Sequence, residues 1–277
     1  RALTHDTFGD PEHVLTVTER PTPEPGPGQV RLKIVLSPIH NHDLWTIRGT
    51  YGFKPELPAA SGTEALGIVD ALGEGVDSLA VGQRVATGGT FGAWAEYVVA
   101  NAAGLIPVPE SLSDESAAQL VSMPFSTISL LEFLGAEKGD WIVQNAANGA
   151  VGRMLAQLGA ARGVNVIGLV RRSAGVDELR EQDIENVVST DDDGWREQVA
   201  EITGGAHIAF GIDSVGGSSA GDVLSLLGEG GTLVAFGAMN SPTMEIASGD
   251  VIFKQATVKG FWGCLLYTSD AADDTPC

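Results

Sequence analysis

The sequence predicts an α/β protein in two parts, a β-rich N-terminal domain followed by a doubly wound parallel sheet. Three observations carry this. Short β-like runs separated by Gly/Pro turns fill residues 1–110. From Gly139 onward, strand and helix patterns alternate, as they do in parallel sheets. The stretch Asp140-Trp-Ile-Val-Gln-Asn-Ala-Ala-Asn-Gly-Ala-Val-Gly-Arg153 reads as strand, tight turn and helix start, a unit that cradles a pyrophosphate on a helix N-terminus.

In chain order, the N-terminal runs are His13–Thr18, Val30–Leu36, Gly67–Leu72, Trp94–Val99 and Leu105–Val108. Pro21 to Gly28 is a loop by composition. Such short strands suggest a compact β-rich barrel. Residues 113–134 read as helical, with Asp114 and Glu115 in the first turn; Pro124 should kink or split the helix and Gly135 end it. The junction between domains 1–125 and 126–263 falls there.

Six strands are expected beyond the junction: Trp141–Gln144, Asn165–Val170, Asn186–Ser189, Ala209–Asp213, Gly231–Phe236 and Thr257–Trp262. Helices are expected from Ala150 to Gly163, and over Val176–Gln182, Trp195–Ile202 and Ala220–Leu227. Val151, Leu155 and Leu158 share one face of the first of these. Gly216, Gly217 and Gly237 follow strand ends, where such sheets bind ligands.

The nucleotide turn, Ala147-x-Gly149-x-x-Gly152, lacks the full three-glycine fingerprint; the strand before it and the helix after it give it force. Arg171 and Arg172 stand at the end of the second strand, where an acid would accept hydrogen bonds from a ribose 2′-hydroxyl. No acid occurs between Arg153 and Asp177, so cations suited to a 2′-phosphate point to NADPH.

The chain has 277 residues, 43% hydrophobic, with a mean hydropathy of +0.10 and a net charge of −20. That charge disfavours nucleic acid and anionic membrane as partners. No apolar stretch is long enough to span a bilayer and no secretory pattern opens the sequence, so a cytoplasmic location is expected. Both cysteines, Cys264 and Cys277, bracket the last segment. This segment resembles the translation of a transposon-type sequencing adapter. Residues 264–277 are therefore read as foreign, with the natural C-terminus missing, and Arg1 leaves open an N-terminus clipped ahead of it.

Several motifs resemble the medium-chain dehydrogenase/reductase superfamily: Pro25-Gly-Pro-Gly-Gln-Val30, Gly82-Gln-Arg-Val85, Gly92-Ala-Trp-Ala-Glu-Tyr97 and the nucleotide turn. The resemblance covers nearly all of 1–263. It implies a GroES-like N-terminal domain and a Rossmann-type sheet domain. In the zinc alcohol dehydrogenases of this superfamily the first cysteine ligand would fall at His40, the Gly-His-Glu motif at Gly62-Thr63-Glu64, and the second cysteine at Met123. A catalytic zinc needs three good protein ligands, and only His40 retains one, so no metal is expected. If residues 40–42 formed a strand, His40 and His42 would share a face and, with Glu64, make a two-His, one-carboxylate set.

The chain is more similar to the zinc-free 2-enoyl thioester reductases, relatives of the quinone oxidoreductases. Ser37-Pro-Ile39, Asp43-Leu44, Ile47-Arg-Gly-Thr-Tyr-Gly52, Pro55-Glu-Leu-Pro58, Gly139 to Arg153 and Lys259-Gly-Phe-Trp262 carry that similarity. His40-Asn41-His42 departs from it, since enoyl reductases usually have Asn-Pro-Ser there. The resemblance implies that Tyr51 donates a hydrogen bond to a thioester carbonyl. It implies Ser126 or Thr127 near the nicotinamide, and Asn145, Gly149, Ala150, Val151 and Gly152 at the pyrophosphate. Phe236, Gly237 and Met239 would flank ribose and nicotinamide, while His40, Phe261 and Trp262 would line the substrate pocket. The family is commonly dimeric or tetrameric, so a homodimer or homotetramer is expected.

Other readings stay open on the sequence. Tyr51 could be a loop aromatic packed beside Pro55 and Pro58. The substrate could be a quinone, for which no carbonyl-specific tyrosine is needed. The chain could be a zinc-type alcohol dehydrogenase homologue, or a protein that binds NADPH without catalysis.

Overall fold

A computed structural model describes residues 1–263. The chain divides into two compact units at Pro124/Phe125. The adapter-like segment 264–277 lies outside the described residues.

The first unit holds β1 (Ala2–His5), β2 (Thr16–Thr18), β3 (Gln29–Leu36), β4 (Ala59–Ala60), β5 (Glu64–Leu72), β6 (Arg84–Gly88), β7 (Tyr97–Asn101) and β8 (Ile106–Pro107). Strands β2-β1-β4 make a small antiparallel sheet, and β7-β3-β5-β6-β8 a five-stranded antiparallel one. Val30 and Leu32 of β3, Val69 of β5, Val85 of β6 and Val98 of β7 form its core.

Several expectations need correction here. His13 lies not in a strand but in a short helix, α1 (Pro11–Val14), and β2 is confined to Thr16–Thr18. Asp10 caps that helix, accepting from the Glu12 N–H at 3.1 Å, and Pro11 sits at its first position, a start signal by residue type. Residues 40–42 are not a strand either: His40 is the N-cap of α2 (Asn41–Arg48), which Gly49 ends in a left-handed turn. The expected strand at Trp94 begins only at Tyr97. The 113–134 helix is two helices, α3 (Asp114–Ala117) and α4 (Ser122–Leu134). The break falls before Ser122 rather than at Pro124, which occupies the first turn of α4, where its missing N–H leaves no intrahelical bond unmade.

The second unit contains β9 (Trp141–Gln144), α5 (Ala150–Arg162), β10 (Asn165–Val170), α6 (Ser173–Arg180), β11 (Val187–Ser189), α7 (Trp195–Thr203), β12 (Ile208–Asp213), α8 (Ser218–Leu226), β13 (Thr232–Ala235), α9 (Ser248–Phe253) and β14 (Thr257–Gly260). All six strands are parallel, in the order β11-β10-β9-β12-β13-β14. Alternate residues feed opposite faces. Val143, Ile167 and Leu233 join one core, with Val223 and Leu224 of α8. Ile142, Val166, Ile212 and Val234 join the other, with Leu130 of α4 and Leu155 of α5. Two buried faces explain why these strands read as continuous apolar runs. The last strand stops at Gly260, short of Phe261 and Trp262. Among the described residues no helix is long and apolar enough to cross a membrane.

Candidate functional site

The order of the parallel sheet changes direction between β9 and β12, so their carboxyl ends open a crevice of the kind that takes a ligand. The turn from β9 to α5 lies at that end. Ala146 adopts a left-handed conformation (φ 49°) and Gly149 caps α5. The first helical N–H groups, on Ala150, Val151 and Gly152, have no carbonyl four residues back within the helix to take them and are available to an anion. At Gly152 a Cβ would lie 2.7 Å from the Ala147 carbonyl oxygen and 2.9 Å from that of Ala146. The missing side chain lets the turn close onto the helix. Gln144 fixes the same contact from the strand, donating from Nε2 to the Gly152 carbonyl at 2.8 Å.

Asn145 has a further task that the sequence did not reveal. Its Nδ2 donates to Asp213 Oδ1 at 2.6 Å, and its Oδ1 accepts the Ser214 N–H at 2.8 Å, tying the end of β9 to the end of β12. Asp213 is fully buried and also accepts from Val215 and Gly216 N–H. An aspartate three residues before a Gly-Gly pair at a strand end was the available signal.

Arg171 and Arg172 follow β10, the neighbour of β9 in the sheet. Both are exposed, and neither joins an ion pair among the described residues. Phe236 and Gly237 lie just past β13, their N–H groups on the Asp213 carbonyl at 2.8 and 3.2 Å. Met239 is half exposed. On α4, Ser126 is half-buried, while Thr127 is buried and its hydroxyl reaches Met154 Sδ at 3.9 Å. Phe261 is buried between the rings of Phe133 and Phe236, at 5.2 and 5.9 Å, and Trp262 is partly exposed.

In the first unit, a hydrogen-bonded cluster surrounds the start of α2. Asp43 accepts the His40 N–H at 2.9 Å through one oxygen and the Thr63 hydroxyl at 2.8 Å through the other. Thr63 Oγ1 lies 2.8 Å from His42 Nε2. His40 Nε2 lies 2.5 Å from Glu64 Oε2. The other Glu64 oxygen accepts Val121 N–H at 2.7 Å and Ser122 N–H at 2.8 Å, capping the start of α4. Burial pushes the Glu64 carboxyl up, but the His40 bond and the two backbone N–H groups outweigh it, leaving its pKa below the ordinary value. For His42, burial pushes the imidazole down; Asp43 opposes this and His40 adds to it.

Tyr51 is half-buried beside this cluster. Its N–H bonds to the Trp45 carbonyl at 3.2 Å, and its ring centroid lies 6.0 Å from His42 and 6.5 Å from Trp45. The rings of His40 and His42 stack at 5.0 Å. Asp43 and Thr63 were not picked out by sequence as members of this cluster, although an acid three residues after a cap position is a recognisable helix-start signal.

The donor set does not suit a catalytic zinc. At the three positions where the resemblance would put ligands, His40 already engages Glu64, Thr63 offers a hydroxyl and Met123 a thioether. Among the described residues no three His, Cys, Asp or Glu side chains are grouped to hold a metal ion.

Comparison with known proteins gives a consistent picture. The family described as an alcohol dehydrogenase GroES-like domain matches residues 26–110, and that described as a zinc-binding dehydrogenase matches residues 150–274. The mitochondrial enoyl-[acyl-carrier-protein] reductase of Arabidopsis thaliana is 31% identical over 268 residues, covering 95% of this chain and 72% of the relative. The chain belongs to the medium-chain dehydrogenase/reductase superfamily. The human mitochondrial enoyl-[acyl-carrier-protein] reductase of this superfamily is equally similar, at 31% with the same coverage. The Escherichia coli quinone oxidoreductase, solved in complex with NADPH, superposes with a TM-score of 0.85 at 26% identity, covering 96% of this chain and 82% of that one. The GroES-like and Rossmann-type architecture is thus the one this superfamily uses.

Proposed function

We propose that the protein is an NADPH-dependent reductase of an activated carbon–carbon double bond, most specifically that of a 2-enoyl thioester, working without zinc. The observation that carries this reading is the cluster at α2, which offers a phenol beside an oriented imidazole and engages His40 with Glu64 where a zinc thiolate would stand. The enoyl reductase relatives support the substrate class.

The second unit fits the cofactor. The close approach of the turn to α5 that Gly152 permits and the open N–H groups of Ala150 and Val151 suit a pyrophosphate, and Arg171 and Arg172 suit a 2′-phosphate. NADPH, when bound, supplies a hydride to the β-carbon. As negative charge develops on the carbonyl oxygen, the Tyr51 hydroxyl donates to it, a contribution of about 3 kcal/mol for a pre-placed oxyanion donor. Asn145 and Asp213 hold the nucleotide turn against the neighbouring strand end. Ser126, Phe236, Gly237 and Met239 are further candidates to line the cofactor, and His40, Phe261 and Trp262 to line the substrate.

Likeness to the E. coli quinone oxidoreductase favours a second reading, a quinone reductase. One assay separates the two: NADPH oxidation with a trans-2-enoyl thioester and a quinone side by side. Preference for the thioester is expected; preference for the quinone would leave Tyr51 as a packing residue.

The oligomer is proposed to be a homodimer or a multiple of one. Among the described residues strand β14 is a sheet edge whose four residues are all exposed, with exposed Ile252, Phe253 and Trp262 close to it in sequence. Unpaired strand edges are templates for pairing with another chain.

A further inference from the structure

We propose that His42 is the proton donor to the α-carbon of the substrate. The inference rests on the enoyl reductase reading above. In that reaction one C–H bond forms at the β-carbon from the hydride, and the electron pair of the double bond moves into an enolate. A second C–H bond must form at the α-carbon from a proton, which the protein delivers and solvent replaces. Tyr51 acts on the carbonyl oxygen, so the group serving the α-carbon, two bonds away, has to stand alongside it. His42 does: its ring centroid is 6.0 Å from that of Tyr51, at an interplanar angle of 33°.

The hydrogen bonds fix which nitrogen can deliver the proton. Thr63 has one hydroxyl proton and donates it to the buried Asp43 carboxylate. Its oxygen is therefore an acceptor toward His42, so Nε2 carries a hydrogen. In the neutral ring Nδ1 is then bare. It has no hydrogen bond among the described residues. The only buried side-chain nitrogen or oxygen found without a partner among them is His5 Nε2, so His42 Nδ1 is open to its surroundings. His40 differs: its Nε2 engages Glu64 and its side chain is only 8% exposed, against 25% for His42.

The cycle balances. Solvent protonates Nδ1, giving an imidazolium that the Asp43 carboxylate, 3.7 Å from Nε2, stabilises. The Nδ1 proton bonds to the α-carbon, the enolate pair becomes the C–H bond, and the ring returns to its neutral Nε2–H form without releasing Thr63. The titratable groups around the ring are Asp43, His40, Glu64 and Tyr51. Burial lowers the affinity of His42 for its proton, which makes the imidazolium a stronger acid. Its protonated fraction, and with it the rate of this step, should fall as pH rises through the lowered pKa of His42, below the ordinary histidine value.

The test is His42→Gln, whose amide can keep the bond to Thr63 but cannot act as the acid. With a trans-2-enoyl thioester, turnover should fall by about 10²-fold, as for loss of a general acid. NADPH affinity should hold and the solvent deuterium isotope effect should grow. Turnover equal to wild type overturns the proposal. A wild type that reduces a quinone but no thioester removes the enoyl reductase reading and this one with it. A wild type active on the thioester with an equally active variant removes this one alone. A second measurement needs no turnover and no variant that folds: ¹⁵N NMR of the His42 ring in the wild type. An Nε2–H tautomer at neutral pH is expected; an Nδ1–H tautomer overturns the proposed route.

Discussion

Tyr51→Phe removes one hydroxyl and leaves the ring to pack against Trp45 and His42. If that hydroxyl meets the developing oxyanion, thioester turnover falls by about 10²–10³-fold with NADPH binding little changed, since the donor acts mainly in the transition state. Steady-state kinetics with a fluorescence titration of NADPH checks both halves; unchanged turnover would take Tyr51 out of the mechanism. The arginines make a different claim, about cofactor choice. Replacing Arg171 and Arg172 together by Ala should weaken NADPH far more than NADH, because only NADPH carries the 2′-phosphate; equal losses by calorimetry would refute that assignment. Glu64 makes a claim about acid stability. Its folded-state pKa lies below the ordinary one, so its contribution is complete above about pH 4.3 and disappears as pH falls through the lowered value. Glu64→Gln should cost about 1–3 kcal/mol at neutral pH through weakened bonds to His40, Val121 and Ser122. It should also flatten the acid limb of a plot of Tm against pH; an unchanged limb would assign acid lability to other carboxylates.

Elements differ in how much of their structure the sequence exposes. Trp141–Gln144 and Asn165–Val170 are read from sequence to the residue, because both faces of each strand are buried and flanking Gly and Asp mark the ends. Helix α5 is as legible, with Gly149 before it and Gly163 in a left-handed cap after it. By contrast α2 buries only Asp43 and Ile47, so it shows no apolar stripe, and its start depends on the His40 N–H to Asp43 bond. Strands β1 and β4, of four and two residues, are too short for periodicity to register. The site divides in the same way. The nucleotide turn is a local motif, whereas the bonds of Asn145 to Asp213 and of His40 to Glu64 join residues 68 and 24 positions apart, which no window of sequence displays. Gly152 tests the legible part. An alanine there meets backbone oxygens on both Ala146 and Ala147, which cannot yield as a flexible side chain would. Gly152→Ala should therefore cost about 1–3 kcal/mol and pull the turn away from α5. NADPH affinity should drop alongside Tm; full affinity would show that the turn tolerates the shift.

At the scale of the whole molecule, net charge and an open edge act against each other. Each chain carries −20, so bringing two copies together is opposed by long-range repulsion. Among the described residues, however, strand β14 is the last strand of the parallel sheet with one edge unpaired, and Ile252 and Phe253, a few residues before it in sequence, are 66% and 83% exposed. Burying about 100 Å² of apolar surface contributes about 2.5 kcal/mol, and backbone pairing along the edge gives direction to the contact. Salt screens the repulsion over about 10 Å at 0.1 M, while the apolar term is not weakened by it. A homodimer joined at β14 should therefore tighten as salt is raised, the opposite of an interface held by ion pairs. Sedimentation equilibrium across a salt series should give twice the monomer mass, with a dissociation constant that falls as salt rises. Val258→Lys, which puts a charge on the edge strand, should raise that constant at least about tenfold, equivalent to 1.4 kcal/mol, while leaving the monomer folded. If Val258→Lys leaves association unchanged, the copies meet through another surface; if the wild type is a monomer at every salt concentration, the edge is left unpaired and charge repulsion prevails.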